Sequence, residues 1–146
     1  MKIFLDTSSL FKLYHQEEGT DELEDDFENI KVTHIFLSEV TKIEFSSTIW
    51  EKVRTKEITL KQAEITLKLF ESDFEKYNFF STDSLVLEHA RNLVTKYGLQ
   101  GLRTLDSIQL AACIILAGQV EVFYTADKLL KTLIESEGLK TSISIY

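Results

Sequence analysis

Short apolar segments rich in β-branched and aromatic residues alternate along this chain with longer segments of helical periodicity. A strand–helix alternation of this kind favours parallel strands whose two faces are both covered by helices. The pattern therefore predicts an α/β fold, a three-layer α/β/α sandwich around a central parallel sheet of about five strands. The predicted strands are residues 2–5, 33–37, 77–80, 121–125 and 142–146.

The longer segments carry helix start and stop signals. Ser38 is a favourable N-cap, and Thr59 with Gln62 forms a capping box at the start of another helix. Gly98 and Gly138 each follow a helical segment and are expected to end it in the left-handed conformation. The predicted helices are residues 38–54, 59–76, 84–97, 104–117 and 127–137.

Length and composition limit the class of protein. The chain has 146 residues, enough for one domain and too few for two of ordinary size, so we predict a single domain over residues 1–146. No apolar run reaches the ~18 residues that a membrane-spanning helix needs. Asp6 interrupts the apolar start of the chain, which therefore differs from a signal peptide. Cys113 is the single cysteine, so we expect no disulfide and a cytoplasmic location without membrane attachment.

The negative charge is concentrated in one segment. The net charge is −8, and residues 17–28 alone hold eight acids and no base, so the remainder of the chain is neutral. This distribution argues against a non-specific nucleic-acid-binding protein, but it is compatible with an enzyme that contacts a short piece of RNA at one site. The acidic segment is interpreted either as the solvated face of a helix or as a surface that repels or selects a partner.

Four carboxylates from distant segments are expected to meet at one edge of the predicted sheet. Asp6 directly follows the first strand and Asp127 follows the fourth, which places both at the carboxyl edge, where open α/β sheets bind ligands. Helices packed on such a sheet begin at the same edge. Glu44 lies in the second turn of one predicted helix and Asp106 in the first turn of another, so the topology brings all four acids together.

Each acid also has a purely structural explanation. Asp127 precedes a helix and suits an N-cap, and Asp106 suits the positive end of a helix dipole. Periodicity does not choose between Glu44 and Glu39, because both border the apolar face of their helix. Asp6 is the hardest to explain structurally, since it ends a strand where the chain should already be entering the core.

Converging carboxylates imply a cation. They repel one another, and burying them without a counter-charge is costly. Mg²⁺ and Mn²⁺ prefer carboxylate and water oxygens, polarise phosphoryl oxygens and activate water, which suits phosphodiester hydrolysis without a histidine or a covalent nucleophile. We therefore predict a metal site and a catalytic site formed by Asp6, Glu44, Asp106 and Asp127.

The same acids lie in four motifs that carry a resemblance to a known family. Residues 3–14 read IFLDTSSLFKLY, residues 38–44 read SEVTKIE, residues 102–111 read LRTLDSIQLA and residues 124–130 read YTADKLL. In these motifs, and in their order along residues 2–146, the chain resembles the PIN-domain family and, within it, the VapC toxins. The third motif is the most specific of the four.

The resemblance implies more than the residues alone establish. It implies a sheet order 3-2-1-4-5 and a Mg²⁺- or Mn²⁺-dependent endoribonuclease that acts as the toxin of a toxin–antitoxin pair, with the four acids as its metal site. Ser8 and Thr125 would be supporting hydroxyls. An RNA substrate, a cognate antitoxin that blocks the site and a homodimer are also implied, with Phe45, Ile49 and Trp50 as candidate contact points.

Several alternatives remain. A PIN-like fold that only binds partners, or a DNA-directed PIN nuclease, would carry the same motifs. A haloacid-dehalogenase-like phosphatase needs a second aspartate two positions after Asp6, where this chain has Ser8. A dinucleotide-binding protein needs Gly-x-Gly-x-x-Gly after the first strand, which is absent.

Basic residues and histidines receive weaker assignments. Lys52, Arg54 and Lys56 cluster at one helix end, where they either are solvated or hold phosphates. The histidines lack the spacing of metal ligands, so we assign structural or surface roles to His15, His34 and His89.

Overall fold

A parallel sheet organises the structure, a computed structural model that describes residues 1–143. Its strands are β1 (Lys2–Leu5), β2 (His34–Ser38), β3 (Asn78–Phe80) and β4 (Val122–Tyr124). Their order is β3-β2-β1-β4, and all three neighbouring pairs are parallel. The predicted α/β fold with a central parallel sheet is confirmed, with four strands in the described residues and the 3-2-1-4 part of the predicted order.

Helices cover both faces of this sheet, and β1 shows why. Phe4 is fully buried on the face covered by the last three helices, and Ile3 and Leu5 are fully buried on the opposite face. Successive side chains of a strand point to opposite faces, so a strand that is apolar throughout needs a core on each side. The helices are α1 (Thr7–Phe11), α2 (Thr20–Asn29), α3 (Thr41–Arg54), α4 (Leu60–Ser72), α5 (Ser84–Tyr97), α6 (Thr104–Ile115) and α7 (Lys128–Ser136).

One predicted helix start and one predicted C-terminal cap are wrong, although α5 spans residues 84–97 as predicted. Ser38 does not cap a helix, because it is the last residue of β2 and pairs with Phe80 of β3, which keeps its backbone extended. Gly98 does not end α5 in a left-handed conformation. Its φ is −59°, the chain continues into one turn of 3₁₀ helix, and Gly101, with φ of 101°, makes the reversal. The capping box of Thr59 at the start of α4 is confirmed.

The predicted fifth strand cannot be followed to its end. Residues 144–146 of the predicted strand over 142–146 lie outside the described residues, and residues 142 and 143 are not in a strand. The chain nevertheless approaches β4 just before this point, because the Phe123 backbone N–H donates to the Lys140 carbonyl oxygen at 2.8 Å.

Two of the three predicted partner contacts lie inside the protein. Phe45 and Ile49 of α3 are buried in the core between the sheet and helices α1 to α4, so they cannot be surface contact points. Trp50, on the other side of α3, is 39% exposed and remains available. Helical spacing alone did not separate the two faces, because all three side chains are apolar.

The acidic segment forms a solvated helix face, which agrees with the first of its two interpretations. Leu23 of α2 is buried against the core. The exposed acids of α2 face the solvent: Asp21, Glu22, Glu24, Asp25 and Glu28. Within residues 1–143, no helix is both long enough and apolar enough to cross a membrane.

Candidate functional site

A cavity of about 290 Å³ brings the four predicted acids together. Asp6 directly follows β1, and Asp127 lies between β4 and α7. Glu44 reaches the cavity from the first turn of α3 and Asp106 from the first turn of α6. A larger cleft of about 660 Å³ adjoins this cavity, but none of the four acids lines it. The four predicted acids therefore belong to the smaller cavity.

Asp6 is held by a dense set of hydrogen bonds. It is only 4% exposed. Its Oδ1 accepts from the Ser9 backbone N–H at 2.9 Å, from the Ser9 hydroxyl at 2.9 Å and from the Ser8 hydroxyl at 2.8 Å. Its Oδ2 accepts from the hydroxyls of Thr125 at 2.5 Å and Ser8 at 2.9 Å. Burial raises the pKa of the Asp6 carboxyl above its usual value, and these donors oppose the rise.

Those contacts explain two features of the sequence around Asp6. The bond from the Ser9 amide makes Asp6 the N-cap of α1, which begins at Thr7. The two hydroxyls that the resemblance implies as supporting groups, Ser8 and Thr125, both contact the Asp6 carboxylate. Asp6 thus joins the end of β1 to the chain that follows β4.

Glu44 is oriented by hydrogen-bond donors from two other helices, α1 and α6. Gln109 Nε2 donates to Glu44 Oε1 at 2.8 Å and to Thr41 Oγ1 at 3.0 Å. Thr7 Oγ1 also donates to Glu44 Oε1, at 3.1 Å. Gln109 is buried, and its own Oε1 has no hydrogen-bond partner among the described residues. Gln109 Nε2 also donates to Thr7 Oγ1 at 3.3 Å. These three acceptors determine the orientation of the amide, because a flipped amide would place its oxygen against the glutamate.

Asp106 has a different environment from Asp6. No hydrogen bond to its side chain is found in residues 1–143, although it is half-buried. Burial raises the pKa of Asp106, the negative charges of Asp127 and Asp6 raise it further, and Arg103 opposes them. Burial likewise raises the pKa of Glu44, with the charges of Asp6 and Asp106 adding to the rise against its hydrogen-bond donors. The environment of the cavity therefore favours the protonated, uncharged forms of these carboxyl groups.

The structure answers two questions that the sequence left open, namely whether Asp127 caps a helix or belongs to the site, and whether Glu39 or Glu44 faces the site. Asp127 does cap a helix, since its Oδ1 accepts from the Leu130 backbone N–H at 2.8 Å, and it lines the cavity as well. The structural and the functional explanations of Asp127 are therefore compatible. Glu39 is exposed, accepts from the Ser81 hydroxyl at 3.3 Å and lies outside the cavity, whereas Glu44 lines it.

The donor set suits a hard divalent cation, although it is not a closed cage. Within the described part of the chain, no three Asp, Glu, His or Cys side chains converge closely enough to enclose one ion. Mg²⁺ usually needs only one or two carboxylates and keeps several waters. Both oxygens of Asp106, Oε2 of Glu44 and Oδ2 of Asp127 accept no hydrogen bond in residues 1–143 and are open to an ion.

Sequence reasoning missed one residue of this cavity and left the role of another open. Gln109 lies three positions after Asp106 and is the last polar residue of α6 before the apolar run 110–115, and that position was the available signal. Lys52 is eight positions after Glu44 on α3, a helical spacing that places both on one face. Among the described lining residues, Lys52 is the one base beside five acids, the fifth acid being Glu17.

Comparisons with known proteins give a family match and a shared fold. The family model described as PIN domain matches residues 3–133. No curated protein matches the sequence. The structure is similar to VapC20 of Mycobacterium tuberculosis, described as a sarcin–ricin-loop-cleaving toxin, at 14% identity over 90% of this chain and 94% of that chain, with a TM-score of 0.68.

Two further solved structures share the fold at similarly low identity. FitAcB from Neisseria gonorrhoeae is 12% identical over 95% of both chains, with a TM-score of 0.69. A toxin–antitoxin complex from Klebsiella pneumoniae contains a chain that is 15% identical over 86% of both chains, with a TM-score of 0.59. At identities this low, the comparisons with solved structures show a shared backbone fold and nothing beyond it.

Proposed function

Because this chain belongs to the PIN-domain family, we propose that it is a metal-dependent endoribonuclease that acts as the toxin of a toxin–antitoxin pair. The observation that carries the proposal is the convergence of Asp6, Glu44, Asp106 and Asp127 on one cavity. The similar structures support the toxin part, since one is a toxin that cleaves the sarcin–ricin loop and another is a toxin–antitoxin complex.

The chemistry of the cavity supports metal dependence. Mg²⁺ or Mn²⁺ bound by these carboxylates would offset their mutual repulsion and polarise a phosphoryl oxygen. Asp106, together with the second oxygens of Glu44 and Asp127, is open to a ligand. Asp6 is already hydrogen-bonded at both oxygens, so it contributes a negative charge at a fixed position. It can bind the ion directly if the hydroxyl of Ser8 or Thr125 rotates away from Oδ2.

The remaining polar residues orient groups and handle protons. Gln109 and Thr7 hold Oε1 of Glu44, which leaves Oε2 free to accept a hydrogen bond from an attacking water. Burial raises the pKa of the Glu44 carboxyl, and a carboxylate with a raised pKa is a stronger base and a better proton acceptor. Asp127 is the other candidate for this role, because one of its oxygens is also free.

A partner surface is proposed on α3 and α4. A cognate antitoxin that blocks the cavity would need apolar contacts near it, and a homodimer would need a self-complementary patch. Large apolar side chains on these two helices are exposed to the solvent: Ile43, Trp50, Leu60, Ile65 and Leu69. They replace Phe45 and Ile49 as the residues to test, and light scattering that gives only a monomer where the protein is active would exclude the homodimer.

Expression in a host without the antitoxin tests the function. We expect the wild type to arrest growth while total RNA is cleaved, and Asp6→Asn to allow growth with intact RNA. Glu24→Gln, an exposed change on α2, is the charge-matched control and should arrest growth like the wild type. Circular dichroism of each purified variant verifies that it folds.

The alternatives predict different results. Equal arrest by the wild type and Asp6→Asn, or arrest with intact RNA, would contradict the nuclease proposal and favour a fold that only binds partners. Degraded DNA with intact RNA would favour a DNA-directed nuclease.

A further inference from the structure

The charge of the site cavity is unfavourable for an RNA substrate. Its described lining residues include five carboxylates, and Lys52 is the one base among them. Each phosphate of RNA is an anion, and buried like charges repel strongly because the low dielectric screens them poorly. A bound divalent cation offsets part of this repulsion at the carboxylates. A phosphate that flanks the cleaved bond needs a positive charge of its own.

Lys52 lines the same cavity as the carboxylates but lies apart from them along α3. Glu44, Thr48 and Lys52 follow one another at four-residue spacing on α3, and all three line the cavity. With a rise of about 1.5 Å per residue, Lys52 starts about 12 Å along the helix axis from Glu44. Its ammonium group points to Glu57, beyond the end of α3, and so faces away from Glu44.

Lys52 is also held in place. Its Nζ donates to Glu57 Oε2 at 2.8 Å and lies 5.2 Å from the centre of the Phe11 ring. The Lys52 side chain is 20% exposed, whereas Arg54 and Lys56 are exposed and do not line the cavity. The structure thus separates Lys52 from the two neighbouring bases with which it clusters in the sequence.

We infer that Lys52 binds a backbone phosphate of a single-stranded RNA segment, within a few nucleotides of the cleaved bond. The inference rests on the proposed function and names a substrate contact of the same site. The phosphate replaces the Glu57 carboxylate as the partner of the ammonium group, so Glu57 competes with the substrate. Lys52 then acts on substrate binding and leaves the chemical step to the carboxylates.

If Lys52 binds a phosphate, substitutions of Lys52 and of Glu57 should change KM in opposite directions, whereas loss of a structural ion pair would change KM in the same direction for both. For a labelled RNA oligonucleotide that the wild type cleaves, Lys52→Gln should raise KM about tenfold with little change in kcat. Glu57→Gln should lower KM, because it frees the lysine. Arg54→Gln and Glu51→Gln carry the same charge changes at exposed positions and should leave KM near the wild-type value. Lys52→Arg should restore most of the binding.

A binding measurement makes the inference independent of cleavage. Fluorescence anisotropy with a labelled single-stranded RNA oligonucleotide gives Kd as a function of salt, in the Asp6→Asn background and at a Mn²⁺ concentration that saturates that variant. Adding Lys52→Gln should weaken binding and lower the slope of log Kd against log salt by about 0.7, the value of one phosphate contact. Adding Arg54→Gln should change neither.

Failure of the proposed function and failure of the inference about Lys52 give different experimental results. A wild type that leaves RNA intact overturns the proposed function, and the anisotropy result then decides the phosphate contact by itself. Equal Kd and equal slope for the Lys52→Gln and Arg54→Gln proteins, or no RNA binding at all, overturn the inference. Parallel shifts of KM in Lys52→Gln and Glu57→Gln also overturn it, because they indicate a structural ion pair.

Discussion

Two acidic regions of this protein carry the same functional group in opposite settings. Residues 17–28 hold eight acids, a number equal to the net charge of −8, and most of them project into solvent from α2. The cavity holds five carboxylates, one of them Glu17 of the same segment, and burial raises the pKa of three of the others, Asp6, Glu44 and Asp106. Catalysis is therefore expected at the cavity, where a few acids converge in a buried space. The net charge of the chain does not indicate the position of this site.

The physical reason for the difference is screening. Exposed carboxylates interact through water and salt, and each such interaction is worth little. Carboxylates in a cavity lose hydration and repel one another through a medium of lower dielectric, so the same number of charges has a much larger effect. Matched substitutions in the two regions should therefore differ in their effects.

Metal binding should show the largest contrast. Because the cavity carboxylates are the expected oxygen donors, Asp6→Asn and Asp106→Asn should each weaken Mn²⁺ binding by about tenfold or more. A triple change on α2, Glu24→Gln with Asp25→Asn and Glu28→Gln, should leave the affinity unaltered. Isothermal titration calorimetry measures both. Unchanged binding in both cavity variants would show that the carboxylates do not form a metal site.

Stability without metal should distinguish the two aspartates of the cavity. Asp6 accepts several hydrogen bonds and caps α1, so Asp6→Asn should lower the free energy of unfolding by about 1–3 kcal/mol. Asp106 accepts none in the described structure and is repelled by its neighbours, so Asp106→Asn should leave stability equal or slightly higher. Urea titrations in a chelator measure this. A loss in Asp106→Asn as large as that in Asp6→Asn would contradict the assignment.

The dependence of stability on pH should show a smaller contrast. The pKa of Asp106 is raised in the folded state above its ordinary 3.8. Its carboxyl therefore favours the fold below that pH, and this contribution is lost as the pH rises through the folded pKa. Without metal, the stability of Asp106→Asn relative to the wild type should increase as the pH rises from acidic to neutral. A constant or decreasing difference in urea titrations across this range would contradict the raised pKa.

The α2 triple variant should show the smallest effect of all. Its three positions are exposed and lie outside both the cavity and the adjoining cleft. Cleavage of a model RNA should therefore stay within about twofold of the wild type. A loss comparable to that of Asp6→Asn would show that the acidic helix takes part in the reaction.

The sequence predicted the convergence of the acids because that convergence depends on topology. A parallel sheet places the residues after β1 and β4 at one edge, whatever their side chains contact. Ser38 was misassigned because its preference for helix starts is local, whereas its pairing with Phe80 depends on a strand more than forty residues away. Tertiary pairing overrides such local preferences.

The finer features of the site depend on packing between distant helices. Gln109 of α6 meets Glu44 of α3 only in the folded chain, so no local pattern reports the contact. Lys52 belongs to a basic cluster in the sequence, and only the cavity distinguishes it from Arg54. The inward and outward faces of α3 were likewise unresolved, because Phe45 and Trp50 are both large aromatic residues and differ only in burial.

The most direct test of the central claim is cleavage of RNA by the purified protein with and without divalent metal. The wild type should cleave in Mn²⁺ and lose activity in a chelator, while Asp106→Asn, which keeps its fold, should lose about 100-fold or more in rate. The α2 triple variant should cleave like the wild type. Cleavage that persists in the chelator, or equal rates for the wild type and Asp106→Asn, would contradict the account.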